Sequence, residues 1–517
     1  MWAMSAVGYR RLGAAGSAAV AAGGWAAGTL PSRDPWGIWV PHGPGVTVAA
    51  TVLAYLGLTL LVVAWWGYGR AGSSVRHTLV TLGWWVAPML LAPPLYSADV
   101  YSYIAQGAMV LEGHDVYGAG PSVLDPAGVG GDAAASVGGH WTDTPAPYGP
   151  VFLVLARAVA GATGGTIVPA VLAMRLIALV ALVLIVLALR RLGREHGGRR
   201  GRGEDGLGDR DGEDGLGDRD GADGLRDRDG ERGALWLGAL NPLLLMHVVG
   251  GMHNDGLMIA LMLSGVALAR RGGWIMGSAV VGLAMMVKSP AAVALLFIGV
   301  LAGRASGGPL ARRVAKGLLG PGLVAGTVAV AATLLAGTGF GWLRTQSVAG
   351  TIHTALSATS DLGLALGGLL HLLLGTDPDP VKAAVQRLGL VAALALIGYL
   401  AWRAARGRLD PVHGLGLSLV ALVALSPMVQ PWYLLWGTTV VAATAWDGRS
   451  GRVLLVLSAA LVHETAPSGR TPAYGFVLAA LTCAAGALLL RREAARARRP
   501  GRLPAPRAAR RDEARTP

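Results

Sequence analysis

Long apolar blocks alternate with short polar stretches along this chain. A membrane-crossing helix needs about 20 predominantly apolar residues, and many of the blocks approach this length. The pattern predicts an all-α polytopic membrane protein with about 14 transmembrane helices. The predicted helices span residues 12–30, 45–66, 77–95, 166–190, 234–250, 254–269, 273–287, 289–303, 317–337, 381–402, 412–427, 431–446, 453–464 and 473–490.

Composition agrees with a chain that lies mostly in lipid. The 517 residues are 53% hydrophobic and 14% charged, which is too little charge to cover a soluble surface. The net charge of +14 could suggest a nucleic-acid partner. However, the arginines cluster between apolar blocks and in the C-terminal tail, which is the positive-inside pattern. We therefore expect both termini in the cytoplasm and no nucleic-acid partner. Cys483 is the only cysteine, so no intrachain disulfide is possible.

The alternation of charge divides the chain into four predicted regions. They are an N-terminal transmembrane part (1–190) with a large extracytoplasmic loop (96–165), a disordered cytoplasmic loop (191–233), a C-terminal transmembrane part (234–490) and a disordered basic cytoplasmic tail (491–517). The stretch 151–164 is apolar but short and carries Arg157. Counting it as a span would reverse the arginine pattern, so we predict a juxtamembrane helix on the outer surface.

The cytoplasmic loop contains a Gly/Asp repeat of nine residues. Residues 203–229 read GEDGLGDRD twice and then GADGLRDRD. This period resembles calcium-binding β-roll repeats. The apolar residue that builds the core of such a roll is missing, however, and the loop is predicted to face the cytoplasm. A disordered hydrophilic linker is the favoured interpretation.

Unusual polar and aromatic residues gather in the segments predicted to lie outside. Aromatic rings there could stack on the C–H faces of a sugar, and Asp, Asn and Gln could bond to its hydroxyls. The candidate substrate-binding residues are Tyr101, Tyr103, Gln106, Trp141, Asp143, Tyr148, His253, Asn254, Asp255, Lys288, Gln430, Trp432 and Tyr433.

Asp99 is the sharpest single candidate. It follows directly after an apolar helix and precedes Tyr103 and Gln106 at helical spacing. A carboxylate half-buried at a membrane edge is costly unless it functions or is paired. The equally weighted alternative is that Asp99 caps the helix that begins beside it.

Two further polar turns leave their roles open. His253, Asn254 and Asp255 could be metal ligands, but Asn, Asp and Gly favour tight turns for backbone reasons alone. No Cys or His follows at ligand spacing, so we expect no metal. Lys288 could be a snorkelling anchor or a positive charge for a lipid phosphate, beside free N–H groups at the helix start after Ser289.

Three common catalytic motifs are absent from the sequence. No Walker A loop, G-x-S-x-G elbow or H-E-x-x-H helix occurs, so ATP hydrolysis, serine-hydrolase and zinc-protease chemistry have no support.

Five strings, in a fixed order along the chain, resemble those of a known family. The strings are LAPPLYSADVYSYIAQG, WTDTPAPYGPVFLVLA, NPLLLMHVVGGMHNDGLMIALML, VKSPAAVALLF and VQPWYLLW. With them the chain resembles the GT-C superfamily, and in particular the actinobacterial polyprenol-phosphate-mannose-dependent α-(1→6)-mannopyranosyltransferases of lipomannan and lipoarabinomannan core synthesis. The likeness covers residues 10–445.

The resemblance implies a function and a mechanism. The protein would transfer mannose, with inversion, from polyprenyl-phosphate mannose to a mannan or lipoglycan acceptor. Transfer would occur at the extracytoplasmic face of the plasma membrane. Asp99 would be the general base, Lys288 would neutralise the leaving phosphate, and the other outer residues would bind sugar. No cofactor and no metal are implied beyond the lipid-linked donor.

A transporter or flippase of polyprenyl-linked sugars is the competing class. Such proteins also have many spans with polar groups near the midplane. This chain has no evident two-fold internal repeat, and its polar motifs cluster on one face. A non-catalytic scaffold leaves the outer strings unexplained, and a GT-C enzyme for another polyprenyl-phosphate sugar remains a further alternative.

Overall fold

The computed structural model describes residues 4–204, 228–348, 352 and 354–497. Nearly all of these residues are helical, and no strand forms among them, which confirms the all-α prediction. The helices before residue 251 are α1 Ala6–Ala27, α2 Pro44–Tyr68, α3 Val75–Val86, α4 Asp99–Glu112, α5 Gly131–Val137, α6 Pro150–Thr163, α7 Ile167–Glu204, α8 Arg228–Ala239 and α9 Pro242–Gly250. The later helices are α10 Asp255–Arg270, α11 Trp274–Met285, α12 Ser289–Ala305, α13 Leu310–Ala336, α14 Ala358–Leu374, α15 Pro378–Ala405, α16 Pro411–Ala424, α17 Leu434–Ala445, α18 Arg449–Leu461 and α19 Ala473–Ala497.

Helix length and composition show which of these helices can cross a bilayer. Among the described residues five qualify, namely α2, α7, α13, α15 and α19. Helices α8 and α9 qualify together as a pair bent by 46°. The bend falls at Asn241, whose side chain accepts the N–H of Leu243 at 3.0 Å, and at Pro242, which has no N–H to continue α8. A polytopic helical membrane protein is therefore confirmed, whereas fourteen spans remain a prediction.

One apolar helix was not predicted. Residues 338–380 were interpreted as an outer loop, but α14 occupies Ala358–Leu374. It turns back at Gly375, which has a φ of 67°, and packs antiparallel on the start of α15. Gln386 donates to Ser360 at 2.9 Å, and a Cβ at Gly363 would lie only 2.7 Å from Lys382. The run has 17 residues, which is short for a full span but longer than several of the runs that were predicted as spans.

Two ends of the helical bundle differ in their chemistry. Helix α10 has 16 residues, so it separates Asp255 from Arg270 by about 22 Å. At the end marked by Arg270, hereafter the arginine end, Arg70 pairs with Glu493 and Arg270 pairs with Asp410. The segments that carry Asp99, His253 and Lys288 meet at the other end, hereafter the Asp99 end. This segregation agrees with the predicted grouping of the outer motifs.

Part of the predicted cytoplasmic linker is ordered. Helix α7 continues to Glu204 and α8 begins at Arg228, so both flanks of the predicted linker are helical in the structure. Arg190 and Arg194 both pair with Glu231, whose side chain is buried, and this links the two helices. A Cβ at Gly193 would lie 2.7 Å from the carbonyl oxygen of Gly230. Residues 205–227 of the repeat lie outside the described residues.

The basic tail is also helical where the structure describes it. Helix α19 extends to Ala497 and so includes the first residues of the predicted tail. Residues 498–517 lie outside the described part of the chain.

Helix α6 fills the apolar segment that was predicted as a juxtamembrane helix. It lies so close to α4 that a Cβ at Gly107 would approach the carbonyl oxygen of Ala156 to 2.2 Å. The N–H of Val151 donates to the carbonyl of Met286 at 3.1 Å. The same helix therefore holds α4, which begins with Asp99, against the turn that carries Lys288.

Candidate active site

Asp99 reaches the site on a strained connection. The segment before α4 is held by backbone bonds from Leu95 to Gly250 and from Tyr96 to Pro467. Tyr96 has a φ of 64°, and Met252 in the turn that carries His253 has a φ of 53°. Left-handed backbone is unfavourable for side-chain-bearing residues and persists where the surrounding structure demands it. Both segments that deliver polar groups to this site are thus constrained.

The Asp99 carboxylate does not cap its helix. Ala98 occupies the cap position of α4 without a side-chain bond, so the capping alternative is wrong. Instead, Asp99 Oδ2 accepts a long hydrogen bond of 3.5 Å from the Tyr103 hydroxyl and lies 3.6 Å from His253 Nε2. The Asp99 side chain is 22% exposed, so it is within reach of a ligand.

The hydrogen bond at Nδ1 determines the tautomer of His253. His253 Nδ1 lies 2.8 Å from the carbonyl oxygen of His247, which can only accept, so Nδ1 carries the proton. In the neutral ring, Nε2 is then an acceptor that faces the Asp99 carboxylate. Burial lowers the pKa of His253 and outweighs the opposing effect of Asp99, so the neutral ring is favoured. A ligand hydroxyl at this position could donate its single proton to one of these two acceptors.

A second carboxylate, that of Asp255, lies near His253, and each of its two oxygens has a hydrogen-bond partner. The Asp255 side chain is buried and accepts from Lys288 Nζ at 2.8 Å and from Trp436 Nε1 at 2.7 Å. Lys288 also lies 4.7 Å from the centre of the Tyr433 ring. The lysine therefore folds inward, and the snorkelling alternative is wrong. A lysine ammonium has three N–H donors, so donation to Asp255 leaves others for an anion.

Aromatic rings enclose the polar groups. Trp432 packs against His253 with ring centres 3.9 Å apart and lies 5.0 Å from His247. Tyr103 makes edge-to-face contacts with Tyr148 at 5.3 Å and with Phe152 at 4.8 Å. This gives the site rings of the kind that suit a sugar, next to its charged groups.

The remaining predicted residues lie in different surroundings. Tyr101 is buried on α4 and donates to the carbonyl of Thr29 at 2.6 Å. Asp143 accepts from Ser122 at 2.6 Å within the segment between α4 and α6, where Trp141 is half-buried. Gln106 is buried on α4, Asn254 donates its backbone N–H to the Tyr103 hydroxyl at 3.4 Å, and Gln430 begins the short turn of helix before α17.

Sequence reasoning missed three residues of the site, namely His247, Phe152 and Trp436. His247 was hidden inside an apolar run, although an isolated histidine in a membrane segment is itself a signal. Trp436 follows Trp432 at helical spacing and bonds to Asp255. Among the described residues, no three His, Cys, Asp or Glu side chains are grouped to hold a metal ion.

These features define a polytopic helical membrane protein with a charged, aromatic-lined site at one end of its bundle. Comparison with known families gives a narrower class. The model of the alpha-(1->6)-mannopyranosyltransferase N-terminal domain matches residues 10–203 and 226–304, and that of the MptB C-terminal domain matches residues 359–492.

Individual relatives agree with the family models. The chain is 33% identical to a probable alpha-(1->6)-mannopyranosyltransferase of Mycolicibacterium smegmatis, over 93% of this chain and 87% of that one. It is 31% identical to an alpha-(1->6)-mannopyranosyltransferase of Mycobacterium tuberculosis, over 93% and 86% of the two chains. It is 30% identical to alpha-(1->6)-mannopyranosyltransferase B of Corynebacterium glutamicum, over 85% and 73%. The chain therefore belongs to the actinobacterial alpha-(1->6)-mannopyranosyltransferase family, which confirms the resemblance. No solved structure matches it.

Proposed function

We propose that this protein is a GT-C type mannosyltransferase of the plasma membrane. It transfers mannose from polyprenyl-phosphate mannose to a mannan or lipoglycan acceptor and forms α-1,6 linkages with inversion. Support for the sugar and the linkage comes from the relatives, which bear the name alpha-(1->6)-mannopyranosyltransferase. Support for a lipid-linked donor comes from the position of Asp99 at the end of an apolar bundle, where a lipid headgroup and a polar acceptor can meet.

The observation that carries the mechanism is the Asp99 carboxylate, which caps no helix and faces His253 Nε2. In the proposed step, the acceptor hydroxyl oxygen bonds to the anomeric carbon of mannose. The bond from that carbon to the phosphate oxygen breaks, and the phosphate leaves with the electron pair. The hydroxyl proton passes to Asp99 as general base. His253 Nε2 accepts a hydrogen bond from a hydroxyl of the incoming sugar and helps to place it.

Lys288 stabilises the leaving group in this proposal. Charge develops on the phosphate oxygen as the glycosidic bond breaks, and a fixed ammonium nearby favours that state over the ground state. Asp255 and Trp436 hold Lys288 in position, while Tyr433 lies beneath the ammonium. Because the phosphate is already a good leaving group, the proposal includes no second catalytic acid, no metal and no cofactor.

The Asp99 end faces the extracytoplasmic side in this proposal. Arginine-rich connections favour the cytoplasm, and the arginine end lies opposite Asp99 along α10. A reporter inserted at Gly130, in the loop between α4 and α5, should therefore report the outside. A cytoplasmic signal from that reporter would reverse the proposed orientation.

The direct test supplies membranes containing the protein with labelled polyprenyl-phosphate mannose and a short α-1,6-mannan. We expect the label in a longer mannan, with the new residue in an α-1,6 linkage by linkage analysis. Movement of the intact lipid-linked sugar across the bilayer, without label in the glycan, would instead identify a transporter. Label from a different polyprenyl-phosphate sugar in preference to mannose would contradict the proposed donor.

A further inference from the structure

The arginine end contains a cavity that the proposed sugar transfer does not use. Its volume is about 640 Å³, and its lining includes Arg270, Arg304, Arg408 and Asp410. Three arginines against one aspartate leave the lining positive. The cavity lies at the opposite end of α10 from Asp255 and so about 22 Å from the candidate active site.

Arg270 distinguishes this cavity from an ordinary cluster of membrane anchors. Its side chain is 3% exposed, although anchoring arginines usually extend into water. Nη1 donates to Asp410 at 2.8 Å, but Nε and Nη2 have no hydrogen-bond partner among the described residues. The nearest further carboxylate is that of Glu195, 3.8 Å from Nε and beyond hydrogen-bond distance. A buried guanidinium with unused N–H groups is costly unless a ligand or water completes it.

Asp410 already has several hydrogen-bond partners, so it does not neutralise all the arginines of the cavity by itself. It accepts the backbone N–H groups of Val412 and His413 at the start of α16, and His196 Nε2 lies 3.1 Å from it. An incoming anion would therefore find the cationic groups of the lining only partly neutralised.

An apolar groove adjoins the charged cavity. It runs between α12 and α13, has a volume of about 220 Å³, and shares Arg304 with the cavity. Leu318 and Val314 in its lining are exposed on the outside of the bundle. The helices cross closely here, because a Cβ at Gly299 would lie 2.0 Å from the carbonyl oxygen of Gly317. A positive cavity next to an exposed apolar groove fits a molecule with an anionic head and a hydrocarbon tail.

We propose that this surface binds an anionic phospholipid of the leaflet at the arginine end. The phosphate of the headgroup lies in the cavity between Arg270, Arg304 and Arg408, and an acyl chain follows the groove between α12 and α13. The bound lipid joins α10 and α12 to the turn before α16. It is separate from the lipid-linked sugar donor, which the proposed function places at the Asp99 end.

The test measures lipid binding to the purified full-length protein by native mass spectrometry. Phosphatidylglycerol, zwitterionic phosphatidylcholine and inorganic phosphate are titrated separately. We expect a phosphatidylglycerol adduct that survives millimolar inorganic phosphate and exceeds the phosphatidylcholine adduct. The double variant Arg304→Gln/Arg408→Gln should weaken phosphatidylglycerol binding by about thirtyfold, as expected for the loss of two arginines near a phosphate.

Arg312→Gln/Arg406→Gln is the charge-matched control. Both residues are exposed arginines close to the site that line neither the cavity nor the groove. Equal weakening by this control would overturn the proposed location. Equal binding of the two phospholipids by the unmodified protein would overturn the role of the anionic head, whether or not the variants fold. Displacement of the lipid by inorganic phosphate would show that the cavity takes free phosphate and that the groove is not used. The assay requires no sugar transfer, so its outcome is independent of the proposed function.

Discussion

Helix α10 has a buried ion pair at each end, and the two ends differ in one respect. At its start, Asp255 pairs with Lys288 under the candidate active site. At its close, Arg270 pairs with Asp410, which also caps α16. Both pairs place charge where the helix dipole favours it, with the acid at the N-terminus and the base at the C-terminus. Beside the first pair, however, lies Asp99, which is also in the first turn of its helix but makes no cap hydrogen bond and, among the described residues, no ion pair with Lys or Arg.

The comparison separates two uses of a carboxylate in a membrane protein. The lone pairs of Asp255 and Asp410 are occupied by lysine, tryptophan, arginine, histidine or backbone donors. Asp99 has one long bond from Tyr103 and a histidine acceptor opposite. Occupied carboxylates hold helices together, whereas Asp99 is available to take a proton.

Asp99→Asn should produce the largest effect on activity. General-base catalysis contributes about 10²–10⁴-fold in rate, so transfer per molecule of protein should fall by this much. The amount of folded protein should not change, because Asp99 caps nothing. Labelled transfer in membranes, normalised to protein amount, measures the effect. Asp115→Asn and Asp143→Asn are the controls, and transfer near the unmodified level by Asp99→Asn would rule out the base assignment.

Asp255→Asn and Lys288→Gln should each destabilise the protein. Removing one partner of a buried ion pair costs about 3–5 kcal/mol, since the other charge remains buried and uncompensated. The double variant should recover part of this loss, while transfer remains impaired because the leaving phosphate lacks its cation. Fluorescence-detected size exclusion after heating measures stability. Additive losses in the double variant would show that the two residues do not act as a pair.

Asp410→Asn should have a smaller effect, on stability alone. Burial would raise the pKa of Asp410, but His196 and Arg270 outweigh it and hold the pKa below its usual range. The stabilisation is therefore present above the unfolded pKa of about 3.9 and is lost as pH falls through the folded value. We expect a loss of about 2 kcal/mol at neutral pH, because Asn still caps α16 but leaves Arg270 without its counter-charge. The loss is smaller than for a fully buried pair, since the Asp410 side chain is 27% exposed.

The control for this variant is Asp377→Asn. Asp377 also accepts a backbone N–H at a helix start, from Asp379 at 3.0 Å, but it is exposed and has no buried arginine beside it. It should change stability by a few tenths of a kcal/mol. A strong loss of sugar transfer from folded Asp410→Asn would contradict the division between the two ends.

The smallest expected effect concerns the pH dependence of stability at His253. Burial lowers the pKa of His253 below its ordinary value of about 6.5. As pH falls below that value, the unfolded chain takes up a proton that the folded site resists, so stability decreases. Asn at this position keeps an N–H donor near that of Nδ1 but does not titrate. Melting temperatures at several pH values should therefore depend less on acid pH in His253→Asn, and an identical dependence would exclude this contribution.

The sequence predicted local features such as helices well, and contacts between distant segments poorly. Apolar runs predicted nearly all of the described long helices, because a segment in lipid must satisfy its own backbone hydrogen bonds and therefore forms a helix. Helix α14 was missed although its 17 residues are more than several of the predicted spans contain. Asp99 and Lys288 stood out because a charged residue at a membrane edge is costly unless it is paired or functions.

Sequence patterns could not predict which residues contact the candidate site residues. Two equal interpretations of Asp99 were separated only by the structure, which showed His253 beside it instead of backbone N–H groups. His247 and Trp436 contact the site across distances in sequence that no periodicity encodes. The helices at residues 191–204 and 228–233 were not predicted, because the pairing of Glu231 with the arginines of α7 joins segments that are distant in sequence.

The contact between α7 and α8 has a consequence for how the two halves of the chain are joined. Arg190 and Arg194 hold Glu231, and Gly193 lies against Gly230, so the ends of the intervening segment are already held together. The entropy of closing a loop grows only with the logarithm of its length, by about 0.6 kcal/mol for each doubling. Residues 205–227 can thus be shortened, lengthened or replaced by an inserted domain at little thermodynamic penalty. A chain cut in this segment should still assemble from its two pieces.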